Sequence, residues 1–417
     1  MEAVTYRDLL WDFTQEAFGR SGEVTLRVFS SEQELFESRG KGGQAFSMYL
    51  PVERVAKSME YQAESGHGLS SERLASLGWK LWEALPPDAR VPLEQAAPDQ
   101  VVRLKISSNS PAIDDLPWEW LNDGPSRPPF ALRAGIRLTR SVPVMLPVPP
   151  LSLRKPFRVL LVIPIPYDES SMNAYQEIEA IGPALSRDPY QMEILKETTW
   201  EALYEALRAE PQPAIVHYVG HAGIDRGEGS LILQDSSGRS HWIAGSQLSQ
   251  ELPVTVGLMC LSTGITAPNY QISGLSRLAY MPASRRLPTC IVTLYPVTQP
   301  GVRRFWEVFY AELAQHGNAV EAHADAQRAV AADAAAGADW GSFCLVIRDQ
   351  SGQVIRISTR GPLPVERNKQ EIAARVTAQI ANDAAATSIA MGDLTSDAHV
   401  AQLYEESKAA QKYSKGL

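Results

Sequence analysis

Phe157 to Ile165 runs apolar almost without a break, and a stretch of that kind suits a strand buried on both faces of a parallel sheet. The chain beyond it alternates regularly. Helical spacing covers Ala174 to Ser186, a weaker strand pattern Gln191 to Leu195, a second helix Trp200 to Arg208, and a strand Ala214 to Val219. Val254 to Cys260 and Thr289 to Leu294 read as further core strands, Val302 to Gln315 and Ala319 to Ala336 as outer helices, and Phe343 to Arg348 as the closing strand. Repeated strand–helix pairs predict right-handed crossovers and an open α/β sheet, mostly parallel, with helices on its faces.

The flanking segments read differently. Residues 1–141 have the pattern of an α+β region. Leu9, Leu10, Phe13, Ala17 and Phe18 fall at helical spacing, while Glu23 to Ser30, Ala45 to Val52 and Val101 to Ile106 suit strands. Ser71 to Leu85 places Leu74, Leu77, Leu81 and Trp82 on one helical face, and Pro86-Pro87 stops it. Five prolines make residues 142–156 a stiff connector to the core, 157–360. Residues 361–417 form an Ala-rich helical tail with a thin apolar stripe, suited either to fraying or to docking on a partner.

Composition narrows the functional classes. With 44% apolar and 21% charged residues, the 417-residue chain can bury a substantial core. Its net charge of −9, without a basic block, argues against nucleic acid or anionic membrane as the main partner. Three cysteines, Cys260, Cys290 and Cys344, make neither a disulfide scaffold nor a four-thiolate zinc site, and the histidines offer no metal-ligand spacing. The start, Met1 to Asp8, lacks a signal-peptide pattern, and the longest apolar stretch, Val159 to Pro166, is too short to span a membrane. A cytoplasmic protein without cofactor or metal is expected.

Ligands and reactive groups gather beyond the carboxyl ends of parallel strands. Two strand ends carry suitable residues: Ile215-Val216-His217-Tyr218-Val219-Gly220-His221-Ala222-Gly223 and Gly257-Leu258-Met259-Cys260-Leu261-Ser262-Thr263-Gly264. A histidine and a cysteine on neighbouring ends can act as a pair, the imidazole taking the thiol proton and the thiolate attacking a carbonyl. Small residues beside them leave backbone N–H groups free for an oxyanion.

In order along the chain stand Leu116-Pro117-Trp118-Glu119-Trp120-Leu121, the strand Arg158 to Ile163, Val216 to His221, and Gly229 to Leu233. After them come Leu258 to Gly264, Gly274 to Leu278, Ile291 to Val297, Phe309-Tyr310 and Trp340 to Phe343. This series resembles the CHAT domain family, caspase-like modules of the clan that also holds separase and the metacaspases. The resemblance covers roughly residues 100–350. It implies a caspase-like three-layer sandwich and a cysteine endopeptidase acting on a protein substrate. It further implies a bacterial defence setting and an activating or docking protein partner. The family's catalytic histidine falls on His221, which pairs with Cys260 as nucleophile; Gly220, Ala222 and Leu261 surround them as oxyanion and cleft residues. Asp225 and Tyr295 are candidates for a substrate pocket.

The chain departs from the family at one point that matters. The pattern Leu-Ser-Ala-Cys-Glu-Thr-Gly, set without gaps on Leu258 to Gly264, puts Leu261 at the nucleophile position and Cys260 one place early. Adjacent strand residues face opposite sides, so the slip matters. Two readings stay open: a peptidase that uses Cys260, and an inactive pseudoprotease kept as a protein-interaction scaffold. The remaining notable residues have plainer expectations. His217, Cys290 and Cys344 are core residues; Trp118, Trp120 and Trp340 are packing residues; Glu177 and Glu179 are solvated on a helix surface. Ile265 to Ile272 and Met281 to Arg286 are loops placed to move beside the site.

Overall fold

A computed structural model describes residues 5–15, 22–30, 43–55, 57–58, 70–97, 100–142, 151–154, 156–169, 174–226, 228–264, 287–348 and 355–358. The loops 265–272 and 281–286, the motif Gly274 to Leu278 and the tail from 361 lie outside the described residues. Among the described residues, fifteen strands run in chain order. The first eight are β1 Tyr6–Thr14, β2 Glu23–Phe29, β3 Gln44–Tyr49, β4 Val101–Ser108, β5 Ile136–Ser141, β6 Leu151–Arg154, β7 Phe157–Ile163 and β8 Tyr190–Lys196. Then come β9 Ile215–Asp225, β10 Glu228–Gln234, β11 Ser240–Ala244, β12 Leu258–Gly264, β13 Thr289–Thr293, β14 Phe343–Ile347 and β15 Ile355–Ser358. The principal helices are α1 Ser71–Ala84, α2 Pro87–Glu94, α3 Ala174–Leu185, α4 Trp200–Arg208, α5 Gly245–Glu251, α6 Gln299–His316 and α7 Ala319–Ala331.

The core strands form a mixed, mostly parallel sheet. β7 lies between β8 and β9, β9 continues to β12 and β12 to β13, all parallel, with antiparallel β14 next. The sheet does not stop there. β14 pairs with β5, which leads through β4 and β1 to β2 and β3, so the N-terminal strands extend the same 13-stranded sheet. Part of the connector is itself extended, as β6 beside β15.

One N-terminal expectation is corrected. The segment with Leu9, Leu10 and Phe13 is strand β1, not a helix. Its pattern also has period two: Leu9, Trp11 and Phe13 join the main core, whereas Leu10 points the other way to meet Phe29. Pairing with β4 along eight residues decides for the strand.

Helices cover both faces of the core sheet. Residues 217 and 260 share a face, which packs on α6 through Trp306 and Tyr310. On the opposite face the Arg158 guanidinium leaves β7 and donates to the Ala206 (2.9 Å) and Ala209 (3.0 Å) carbonyls at the end of α4. A cation at a helix C-terminus meets carbonyls that have no partner within the helix, which explains a charge near the start of the apolar run. The long helix α6 starts at Thr298, whose side chain accepts from Gly301 N, and ends at Gly317 with φ 65°.

The Leu-Pro-Trp-Glu-Trp segment sits at the seam between β5 and β14. Glu119 and Arg140 form a buried two-point ion pair, Nη2 to Oε2 at 2.6 Å and Nε to Oε1 at 3.0 Å. Arg140 also donates to the carbonyls of Leu116 (3.0 Å) and Asp114. Trp120 packs on Trp340 with ring centroids 4.3 Å apart, and a Cβ on Gly341 would lie 2.0 Å from the Trp120 indole nitrogen. The tryptophans are packing residues, as the sequence suggests.

Removing one partner of a buried ion pair leaves the other charge uncompensated, at about 3–5 kcal/mol. Glu119→Ala is expected to lose roughly that much in urea denaturation. Glu307→Ala, at an exposed pair with Arg304, is expected to stay within about 1 kcal/mol of the parent.

Candidate active site

β9 changes partners at His221. Up to that residue it lies in the parallel sheet, where His221 is level with Gly264 of β12; from Ala222 to Asp225 it pairs antiparallel with β10. Tyr218 fixes this junction. Its buried hydroxyl lies 2.5 Å from the His221 carbonyl oxygen and 2.8 Å from that of Ile232, donating its proton across the two. Gly220 is required beside it, since a Cβ there would lie 2.4 Å from the Tyr218 oxygen and 2.9 Å from Pro164. Ala222 is half-buried opposite Leu231. Outward along the hairpin, a Cβ on Gly223 would come within 3.0 Å of the half-exposed Trp242 ring.

The structure does not bring Cys260 to His221. The predicted strand Val254 to Cys260 would end at the thiol, but the strand spans Leu258–Gly264 and Cys260 is its third residue. Residues 253–257 are spent on a turn after α5, where Val256 N donates to Pro253 O, and Gly257 N then enters the sheet by donating to Ala214 O. Cys260 is consequently level with His217. His221 lies four positions further along β9, about 13 Å away at ~3.3 Å per residue.

Around the thiol the core is closed. The Tyr310 hydroxyl donates to Cys260 Sγ at 3.5 Å and lies 2.7 Å from His217 Nδ1. Burial pushes the Cys260 thiol up to about 12, with the Tyr310 bond opposing, and depresses His217 to about 3. Both groups are therefore neutral at pH 7, the reverse of a thiolate–imidazolium pair. His217, Cys290 and Cys344 are fully buried, as expected of core residues.

Leu261 is buried on the face away from His221, level with Tyr218 and Val292. Tyr295 is buried and donates to the Asp115 carbonyl at 2.8 Å, tying the strand after β13 to the N-terminal seam. Asp225 lies at the tip of the β9–β10 hairpin opposite Glu228, with Arg226 3.9 Å away. Among the described residues, grooves of about 410 and 830 Å³ run past Arg303, Arg304 and Glu307 of α6, and neither is lined by β9 or β12.

A carboxyl group that its sequence position assigns to solvent lies instead against this face. Glu177, in the first turn of α3, is buried on the side of Ser262 of β12, whereas Glu179 is exposed. Desolvation raises Glu177 from 4.5 to about 7, with the Ser262 side chain acting against it. The signal is present in the periodicity: Glu177, Ile181, Ala184 and Leu185 form one stripe, and the three apolar members are buried. Ser262 shares the face of His221 and Cys260, between them along the strand.

Comparison with known proteins places the chain in a family. The family model described as CHAT domain matches residues 76–349. No curated protein matches the sequence. Among solved structures the chain is similar to the Saccharomyces cerevisiae separase–securin complex, with 10% identity and a TM-score of 0.45. The match covers 85% of this chain and 30% of that one.

The raised Glu177 carboxyl has a pH signature. Between pH 4.5 and about 7 the folded state holds a proton that the unfolded chain releases, so stability falls as pH rises through that window and is level above it. Two and a half pH units amount to something on the order of 3 kcal/mol. Glu177→Gln should abolish that slope, gaining about 3 kcal/mol on the parent at pH 8 relative to its standing at pH 4.5. Urea denaturation at the two pH values checks it.

Proposed function

Since this chain belongs to the CHAT domain family, matched over residues 76–349, we propose that it takes up a polypeptide segment at the carboxyl ends of β9 and β12, and that Cys260 is not a nucleophile there. The observation that carries the second half is the position of the sulfur. It is closed beneath Tyr310, level with His217, and protonated at any physiological pH. A cysteine peptidase needs the thiol within hydrogen-bond reach of its base, and Cys260 stands about 13 Å down the strand from His221. Cys260 acts as a small apolar core residue.

Two features beside His221 support polypeptide binding. Trp242 keeps 40% of its surface exposed, lying over Gly223 where no side chain intervenes. Exposed aromatic rings of this kind anchor peptide side chains at low entropic cost. The strand that carries it, β11, pairs only with β10 among the described residues; Asp168 and Glu169 bind its first residue, Ser240, and the outer edge beyond that, at Trp242, can accept an extended chain.

Thiol labelling tests the cysteine. In the native protein at pH 7.5, iodoacetamide should modify Cys260 no faster than Cys290 or Cys344, and all three should label together once urea unfolds the chain. Preferential native labelling of Cys260, read by peptide mass spectrometry, would restore the cysteine peptidase. Selection from a displayed random-peptide library tests the binding. The parent protein should enrich peptides that Trp242→Ala fails to hold; enrichment indifferent to Trp242, or none, defeats the reading.

A further inference from the structure

At its N-terminal end the sheet finishes with β3, which among the described residues pairs only with β2, in unbroken register from Glu23–Tyr49 to Val28–Gln44. Exposed strand edges are ordinarily blunted by a charge, a proline or a bulge. The edge strand β8, which pairs only with β7, follows that rule with Glu193 and Lys196. β3 reads Gln44-Ala45-Phe46-Ser47-Met48-Tyr49 and has none of the three. Tyr49 keeps 59% of its surface exposed, while Phe46 and Met48 pack on the main core yet stay half-buried.

The last rung of the ladder fixes which way the backbone groups of β3 point. Leu50 N donates to Gly22 O at 2.8 Å, one step beyond the Glu23–Tyr49 pair. Backbone groups alternate in direction along an antiparallel strand, so Met48, Phe46 and Gln44 also face β2. Ala45, Ser47 and Tyr49 therefore present their N–H and C=O groups to the outer side. That outward set is symmetric about Ser47, and a twofold axis placed there makes it its own complement. Ser47 would exchange both bonds with Ser47 of a second copy, and Ala45 with Tyr49, so that every outward donor meets an outward acceptor.

We propose that the chain pairs with a second copy of itself, β3 against β3, antiparallel and centred on Ser47. The side chains fit this register. On the core-facing side Phe46 meets Met48 of the second copy, a non-hydrogen-bonded pair with Cα atoms about 4.5 Å apart and a favourable sulfur–aromatic contact. On the other side the large Tyr49 ring meets Ala45, whose small side chain leaves it room. One strand further in, Arg27 lies beside Ala45 and Glu23 beside Tyr49. The axis thus puts Arg27 of one copy in the same row as Glu23 of the other, and within β2 and β3 no like charges stand level across it. An edge of six residues, about 20 Å long, makes an interface at the small end of the specific range, so the dimer is expected to form at roughly tens of micromolar.

Sedimentation velocity of the full chain, from about 1 µM to about 200 µM, tests the pairing, and the parent should pass from monomer to dimer within that range. Ser47→Lys sets two like charges face to face at an exposed position. It should weaken the dimer at least about tenfold while leaving the urea midpoint of the fold unchanged. Ser47→Cys reads the register independently. Its Cα atom would lie about 5.5 Å from its twin, so a short bifunctional thiol reagent should link two copies. The same reagent should leave Ala45→Cys unlinked, because four residues of offset hold those twins about 14 Å apart. The native cysteines are buried and do not compete. If Ser47→Lys lowers the urea midpoint, the cross-linking pattern decides alone. A parent that stays monomeric at the highest concentration overturns the proposal. So does a dimer that a folded Ser47→Lys leaves unchanged, or linking that is equal at positions 45 and 47.

Discussion

The Glu119–Arg140 pair is the constraint on which the rest of the molecule depends. Arg140 belongs to β5, the N-terminal strand that meets β14 of the core, and Glu119 reaches it from the segment wedged beside that seam. A buried guanidinium is tolerable only when its donors are used, and here the carboxylate and two backbone carbonyls take them. The tryptophans flanking Glu119 then face in fixed directions. One of them, Trp120, closes on Trp340 and leaves room only for glycine at 341. A second tie lies further out, where Glu321 of α7 receives both Tyr6 of β1 and Arg137 of β5. Two stretches that differ in pattern are held in one sheet by a few charged contacts as well as by apolar packing.

Within that sheet, register decides chemistry. Parallel strands bring residues level in fixed steps, so the start of β12 determines which side chain arrives beside His221. A turn of five residues after α5, 253–257, sets that start. The result is a line of side chains on one face, with the thiol deep, the hydroxyl midway and the imidazole at the end of the strand. Glu177 meets the line from the side because the helical stripe that buries Ile181 and Leu185 also carries the carboxyl inward.

Much of this is legible in the sequence. The apolar run of β7 and the alternation after it emerge from local pattern, because a buried parallel strand leaves a continuous apolar signature; that β9 runs on past His221 to Asp225, rather than ending at Val219, depends on its new partner β10. The features that escape are matters of phase. The spacing of Leu9, Leu10 and Phe13 fits a helix and a strand equally well, and only the partner strand β4 separates them. The Cys260 register depends on a turn that no local signal locates. Glu177 sits on an apolar stripe, yet a glutamate in a first helical turn is ordinarily at home in water, and only the sheet behind it makes the position interior.

The seam between β5 and β14 also sets a timetable for the nascent chain. Arg140 and Glu119 lie close in sequence and can meet early, whereas Val346, the partner of Arg140 across the sheet, is synthesised some two hundred residues later. At ribosomal speeds of roughly 5–20 residues per second, that interval is on the order of 10–40 s. Throughout it, the edge of β5 has its backbone groups turned toward a neighbour that does not yet exist. An open strand edge of this kind pairs readily with other chains. Arg137, interior in the finished molecule, has its partner Glu321 still to come, so its charge can keep the waiting edge apart from its neighbours in the interval.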